Sequence, residues 1–165
     1  PLSLIFGGMC MKNRQNLYDM IISILIPVAV GSISALISRI PGRYAGIQQP
    51  PFSPPAIVFP IVWTVLYILM GISAYMISRS EDARKSRALS VYALQLFFNF
   101  FWSILFFRFS WYLPAFFWLA AMSVLILIMI FRFFQIKPLA AYLQIPYLFW
   151  CLFAAYLNFG VYWLN

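Results

Sequence analysis

The stretch from Ala56 to Ser78, AIVFPIVWTVLYILMGISAYMIS, contains no charged side chain. A helix of about 20 mostly apolar residues is long enough to cross the hydrocarbon core of a bilayer. The apolar run is continuous rather than alternating, which argues against a transmembrane strand. The stretch therefore predicts a membrane-spanning helix.

Four further stretches have similar length and composition: Tyr18 to Ser38, Leu89 to Phe107, Trp111 to Phe133 and Ala141 to Trp163. Most of the separators are short, and short links make consecutive helices antiparallel neighbours. The one long connection runs over residues 39–55. We therefore predict an all-α integral membrane protein, a five-transmembrane-helix bundle over residues 18–165. Residues 1–17 are interpreted as an N-terminal extension outside this fold.

The composition supports a membrane location. The chain is 65% hydrophobic and only 8% charged, whereas a soluble domain has about 25% charged residues. The net charge of +8 comes from basic residues between the apolar runs, where they would face anionic headgroups of membrane lipid rather than nucleic acid. Lys and Arg are concentrated on the side of the N-terminus. This asymmetry predicts a multi-pass protein of a bacterial cell membrane with its N-terminus in the cytoplasm.

The residue inventory excludes several kinds of site. Histidine is absent and the two cysteines are far apart, so His-ligated zinc, His-ligated haem and His-based triads are ruled out and no metal site is predicted. The acidic residues Asp19, Glu81 and Asp82 all fall at helix ends or in a loop. Without a carboxylate at membrane depth, an ion-coupled transporter is disfavoured.

Amides inside the apolar runs are the first candidate site residues. Gln95, Asn99 and Trp102 follow each other at helical spacing and share one face of the third helix. Asn158 lies in the fifth helix. Lipid offers an amide no partner, so these groups should point into the bundle. They could act as interhelical hydrogen bonds or contact a ligand, and both interpretations stay open.

Aromatic pairs form a second candidate cluster. Trp63 and Tyr67 are one turn apart in the second helix, and Tyr147 and Trp150 lie at a comparable depth in the fifth. Facing inward, such side chains would wall a flat apolar pocket with a few polar tips, suited to a planar ligand. Core packing is the competing interpretation.

Three motifs together resemble the TspO/MBR family of translocator and tryptophan-rich sensory proteins, also known as peripheral-type benzodiazepine receptors. They are YAGIQQPPFSPPAIVFPIVWTVLYILMG over 44–71, QLFFNFFWSILFF over 95–107 and PYLFWCLFAAYLN over 146–158. The chain departs from the family pattern at Gln49 and Phe52, where Lys and Trp are usual.

The resemblance implies a five-helix bundle, commonly a homodimer, with a ligand pocket beneath the loop after the first helix. Family members bind porphyrins such as protoporphyrin IX, haem and synthetic benzodiazepine-site ligands, and no cofactor is required. The ligand-binding positions that it implies here are Trp63, Tyr67, Gln95, Asn99, Trp102, Tyr147, Trp150, Ala154 and Leu157. The loop would form a lid that includes Tyr44, Pro50, Phe52, Pro54 and Pro55.

The leading hypothesis is a membrane receptor or sensor, not an enzyme, that binds a porphyrin or another small hydrophobic ligand and could transport it. Because the chain has no histidine for an axial bond, metal-free porphyrin is favoured over haem. A second hypothesis is light-dependent porphyrin degradation, with Trp63 and Trp150 as the photochemically active side chains. A third is a structural or interaction protein whose aromatic residues only pack.

Overall fold

A computed structural model of the protein describes residues 2–39 and 46–165, with side chains from Arg14 onward. The described helices are α1 (Leu2–Ser38), α2 (Val58–Ser78), α3 (Lys85–Ser103), α4 (Tyr112–Phe134), α5 (Pro138–Tyr142) and α6 (Ile145–Leu164), and a π-helical turn (Ile104–Arg108) extends α3. In this part of the chain five stretches are long and apolar enough to cross a membrane, the fifth being α5 and α6 together. The prediction of an all-α, five-span membrane fold is confirmed.

The first helix continues upstream of the predicted span. The backbone is helical from Leu2, whereas the apolar pattern predicted a start near Tyr18. The assignment of residues 1–17 to an extension outside the fold stays a prediction.

The helices pack as one bundle with apolar residues both inside and outside. Helix α1 packs on α2 and α3, α3 packs on α4, and α4 packs on α6, while α5 fills the space between α2 and α4. Met70, Leu119 and Ile126 are fully buried in the centre, whereas Leu36 and Phe149 are 71% and 66% exposed on the outside. An exterior of large apolar side chains is what a lipid environment requires.

The fifth span is two helices rather than the single helix predicted from Ala141 to Trp163. Helix α5 ends at Tyr142, and α6 begins at Ile145 with Pro146 in its first turn. Proline has no N–H to bond the carbonyl four residues earlier, and its ring clashes with that carbonyl. The residue four positions before Pro146 is Tyr142, which explains where the helix is interrupted.

Proline and glycine act together where α1 meets α2. Pro27 lies inside α1 and leaves the Ser23 carbonyl without its helical donor. Gly71 of α2 lies against this point: a Cβ on Gly71 would lie 2.7 Å from the Ser23 oxygen and would overlap the Cα of Ile24. Only glycine permits the two backbones to approach so closely.

Ion pairs hold the loops at the end of the bundle where α2 passes to α3. Arg79 lies 3.5 Å from the Asp19 carboxylate, and Arg84 lies 2.7 Å from that of Asp82. Arg84 also donates a hydrogen bond of 2.9 Å to the Gln135 carbonyl after α4. Hydrogen bonds from Arg84 lower the pKa of Asp82 to about 2, so this pair keeps its charge at neutral pH. All three acidic residues of the chain therefore lie at this end.

A substitution that adds one methyl group to α2 tests its contact with α1. We expect Gly71→Ala to lower the free energy of unfolding by about 1–2 kcal/mol, because the added carbon meets backbone that cannot rotate away. Helix propensity alone would favour alanine. Thermal unfolding in detergent checks this, with Gly46→Ala as the matched control, since a Cβ there would meet nothing within 4 Å. Equal melting temperatures for both variants would contradict the close approach.

Candidate ligand-binding site

A cavity of about 720 Å³ lies between α1, α2 and α3, at the end of the bundle where α1 ends and α2 begins. Its size is within the range of about 300–1,000 Å³ typical of small-molecule sites. It is lined by Gly31, Ala35, Ser38, Arg39, Ala56, Phe59, Pro60, Trp63, Tyr67, Asn99, Trp102, Ser103 and Phe107.

Trp63 is the centre of the aromatic wall. Its ring stacks on Tyr67 at 5.4 Å between centroids, tilts against Trp102 at 6.1 Å and meets the edge of Tyr147 at 6.1 Å. Trp63, Tyr67 and Trp102 all line the cavity. Offset and edge contacts of this kind lock the rings against each other, so one side of the cavity is a rigid aromatic surface.

Helix α1 determines where the Tyr67 ring lies. A Cβ on Gly31 would overlap Cε2 and Cζ of that ring and lie 2.6 Å from its hydroxyl oxygen. The tyrosine therefore occupies the space that any other residue at position 31 would fill.

A chain of hydrogen bonds forms the polar floor beneath this wall. The Tyr67 hydroxyl donates to Asn99 Oδ1 at 2.8 Å, and Asn99 Nδ2 donates to the Tyr147 hydroxyl at 3.2 Å. The Tyr147 hydroxyl in turn donates to Gln95 Oε1 at 2.8 Å. These hydrogen bonds join α2, α3 and α6 at a depth where lipid offers no partner. Of the residues that form them, Tyr67 and Asn99 line the cavity.

A second set of bonds holds Trp102. Its indole Nε1 donates to Asn158 Oδ1 at 3.2 Å, and Asn158 Nδ2 donates to the Tyr112 carbonyl at 2.6 Å. The Asn158 amide thus connects α3, α6 and the start of α4. Its role in this structure is interhelical bonding, one of the two roles that the sequence left open.

Some of the predicted site residues lie outside the cavity. Gln95 and Tyr147 are completely buried in the part of the floor that does not reach the cavity, and Ala154 and Leu157 are 4% and 7% exposed in the packing of α6. None of these four is part of the lining. The structure therefore brings Trp63, Tyr67, Asn99 and Trp102 together at the cavity and places the other four as support.

Trp150 was expected to share a pocket with Trp63, and the structure places it elsewhere. It lines a separate apolar depression of about 500 Å³ on the side of α2 that faces α6. Phe59 connects the two places, because it lines the cavity and meets the edge of Trp150 at 5.8 Å. The spacing within each helix could not reveal this, because it does not report how α2 and α6 are rotated about their own axes.

The predicted lid is partly described. Tyr44 lies outside the described residues. Pro50 is buried against Gly160 of α6, where a Cβ would lie 2.5 Å from the proline Cβ. Phe52 is 88% exposed and has a φ of 65°, an unusual conformation for a residue with a side chain. Pro54 and Pro55 precede α2.

Further hydrogen bonds anchor this loop to the last turns of α6. The Gln48 N–H donates to Asn165 Oδ1 and the Asn165 amide donates to the Gln48 carbonyl, both at 3.0 Å. The Tyr156 hydroxyl donates to the Pro51 carbonyl at 2.9 Å. These hydrogen bonds attach the described part of the loop to α6.

Helix α1 also forms part of the cavity wall, although none of the site residues predicted from the sequence lies in it. Gly31, Ala35 and Ser38 follow each other at helical spacing and face the cavity. The pair Gly31 and Ala35 is visible in the sequence as two small residues one turn apart, a pattern usually interpreted as a helix contact. Here the small side chains leave room for a neighbouring ring and for the cavity. Ser103 and Phe107 continue the Asn99 face by one and two turns.

Comparison with known proteins assigns the family. The sequence profile of the TspO/MBR family matches residues 23–164. The chain belongs to the TspO/MBR family.

Relatives of this TspO/MBR chain come from archaea, bacteria and animals. It is 34% identical to the tryptophan-rich protein TspO of Archaeoglobus fulgidus over 92% of this chain and 99% of the relative. It is 35% identical to the tryptophan-rich sensory protein of Cereibacter sphaeroides over 74% and 76% of the two chains. It is 36% identical to the translocator protein of Sus scrofa over 72% of each. The predicted family, and with it an integral multi-pass membrane protein, is confirmed.

The polar floor predicts unequal effects of two similar substitutions. Tyr147→Phe removes bonds to both Asn99 and Gln95 and leaves the buried Gln95 Oε1 without its partner, so we expect it to cost about 1–3 kcal/mol of stability. Tyr67→Phe removes one bond and should cost about 0.6 kcal/mol. Thermal unfolding in detergent measures both. Tyr142→Phe is the control, since this side chain is 55% exposed; similar losses in all three variants would refute the network.

Proposed function

We propose that this chain is a membrane receptor or sensor that binds planar tetrapyrroles, protoporphyrin IX in particular, and related hydrophobic ligands in the cavity between α1, α2 and α3. The observation that carries the proposal is the combination of a cavity of about 720 Å³ with a wall of stacked aromatic rings. A flat apolar ligand gains most when it can lie against such a surface. Relatives named sensory protein and translocator protein agree with a role in ligand recognition.

The residues that line the cavity would make different contacts with the ligand. Trp63 and Trp102 offer ring faces to the ligand, and Asn99 offers an amide edge at the floor. Phe59 and Pro60 stand where α2 begins, on the side of the loop. In this proposal a ligand enters on the side of that loop, which covers it as a lid. Transport of the ligand across the membrane would be an extension of the same binding.

The lining favours porphyrin without a metal. None of the described residues of the cavity wall is a histidine, cysteine or methionine, the side chains that most often bind haem iron. The Tyr67 hydroxyl, the remaining candidate, donates its proton to Asn99. Haem would therefore be held by its ring and edges alone. A homodimer, a bacterial cell membrane and a cytoplasmic N-terminus belong to this proposal as predictions.

Light-dependent degradation of the porphyrin is the second candidate function, and one observation favours it. Trp63, an oxidisable indole, faces the cavity directly, while Trp150 is separated from the cavity by Phe59. We would then expect Trp63 to be the primary reaction partner. Loss of the porphyrin Soret band under light, only in the presence of protein, would support this activity. Bleaching at the same rate without protein would eliminate it.

The binding proposal predicts that two tryptophans differ. We expect Trp63→Phe to weaken binding of protoporphyrin IX about fivefold, because the largest ring of the wall is lost. Trp150→Phe should change affinity less than twofold, because Trp150 lies outside the cavity. Titration of the purified protein in nanodiscs, followed by porphyrin absorbance, measures both without depending on tryptophan emission.

Trp163→Phe is the matched control, since this tryptophan is 76% exposed at the end of α6. Absence of saturable binding to the unmodified protein would reject the proposed function and favour a structural role. Equal weakening by Trp63→Phe and Trp163→Phe would show that porphyrin binds outside the cavity.

A further inference from the structure

We propose that the mouth of the cavity contains a subsite for a carboxylate, formed by Ser38 and Arg39 at the end of α1. The natural ligand is then an amphiphilic acid, whose apolar ring lies against Trp63 and whose acidic group points to the mouth. This inference rests on the proposed function, because it assigns the charge and the orientation of the ligand that the same cavity binds.

Ser38 supplies the first observation. Its side chain lines the cavity and is only 3% exposed, yet its hydroxyl has no hydrogen-bond partner among the described residues. Ser34, one turn earlier on α1, is equally buried and donates to the Phe100 carbonyl at 2.6 Å. Buried hydroxyls almost always have a partner. The Ser38 hydroxyl is therefore a donor that a bound group can use.

Arg39 supplies the second observation. It also lines the cavity, and it makes no ion pair with any described residue. The neighbouring guanidinium of Arg108 is engaged, because it donates to the Ile37 carbonyl at 3.0 Å. A guanidinium presents its N–H groups in a planar fork that matches a carboxylate. Arg39 can therefore bind a carboxylate at the cavity through its N–H donors and its positive charge.

The distribution of charge strengthens this assignment. The chain has only three acidic residues, and Asp19, Glu81 and Asp82 all lie at the opposite end of the bundle. The carbonyls that end α1 would by themselves repel an anion, but Arg108 covers that of Ile37. No described side chain forms an ion pair with Arg39, and an anionic ligand group would neutralise its charge.

The phosphate of a lipid headgroup also carries a negative charge on oxygen acceptors, and a guanidinium could bind it in place of a ligand carboxylate. The position of Ser38 favours the ligand, because its hydroxyl is buried inside the cavity wall rather than exposed at the membrane surface. An acid attached to a ring that fills the cavity can reach Ser38 and Arg39 together.

The test compares protoporphyrin IX with its dimethyl ester, which has the same ring but no charge. Both are titrated into the full chain in phosphatidylcholine nanodiscs and followed by porphyrin absorbance. We expect Arg39→Gln to weaken binding of the acid about fivefold and Ser38→Ala about threefold, with the ester unchanged in both. High salt should weaken binding of the acid to the unmodified protein and leave the ester unaffected.

Arg87→Gln is the control for loss of a positive charge, because Arg87 is exposed at the opposite end of the bundle. The acid and the ester partition differently into the membrane. Dividing the affinity of each variant by that of the unmodified protein, separately for each compound, removes this difference. The subsite is refuted if Arg39→Gln weakens acid and ester equally or changes neither. If the subsite is refuted but the unmodified protein binds both compounds saturably, the proposed function remains intact. If the unmodified protein binds neither compound saturably, the subsite and the proposed function are both rejected.

Nanodiscs that contain phosphatidylglycerol distinguish the lipid headgroup. If the subsite is for the ligand, Arg39→Gln still separates acid from ester in these discs. If Arg39→Gln changes only the dependence on phosphatidylglycerol and does not discriminate acid from ester, the site binds lipid phosphate and the proposal is wrong.

Discussion

The close approach of α1 and α2 is the constraint on which the rest of the structure depends. At Gly71 the missing side chain lets α2 lie against the backbone of α1 beside Ile24, and at Gly31 it makes room for the ring of Tyr67. Two backbones without side chains between them gain dispersion contacts that lipid tails cannot match. The position of Tyr67 then places its hydroxyl on Asn99, so the helix contact also determines the floor of the cavity.

Polar side chains are few in this bundle, and most of them hold helices together rather than face a ligand. Tyr147, Gln95 and Asn158 bond across α3, α4 and α6 inside an interior that offers no water. Each bond contributes little, but an unpaired group at this depth would be costly. The result is a rigid support below a cavity that packing has left unfilled. A ligand that fills the cavity would stabilise the folded state by mass action, and this links stability to the proposed function.

Aromatic residues make up 21% of the chain, yet among the described residues only five aromatic rings line the cavity. Most of the others pack on each other or face lipid, as Phe98 does when it stacks on Trp118 at 4.3 Å. The positions of Trp63 and Trp150 show that the number of aromatic residues does not predict which of them face the cavity. The first is at the centre of the wall, and the second lies on the other side of α2. In light-dependent degradation of a bound porphyrin, Trp63 rather than Trp150 would therefore be the primary reaction partner.

The sequence by itself determined the spans, because a continuous apolar run can satisfy its backbone in lipid only as a helix. It also identified Asn99, Trp63, Tyr67 and Trp102, since a polar or paired aromatic residue in such a run has few places to point. It did not reveal the break before α6 or the α1 wall of the cavity. Nor did it separate Trp63 from Trp150. These features depend on how each helix is rotated about its axis and how near its neighbour comes. Only tertiary packing decides this, because side chains from distant parts of the chain, such as Tyr67 on Gly31, compete for the same space.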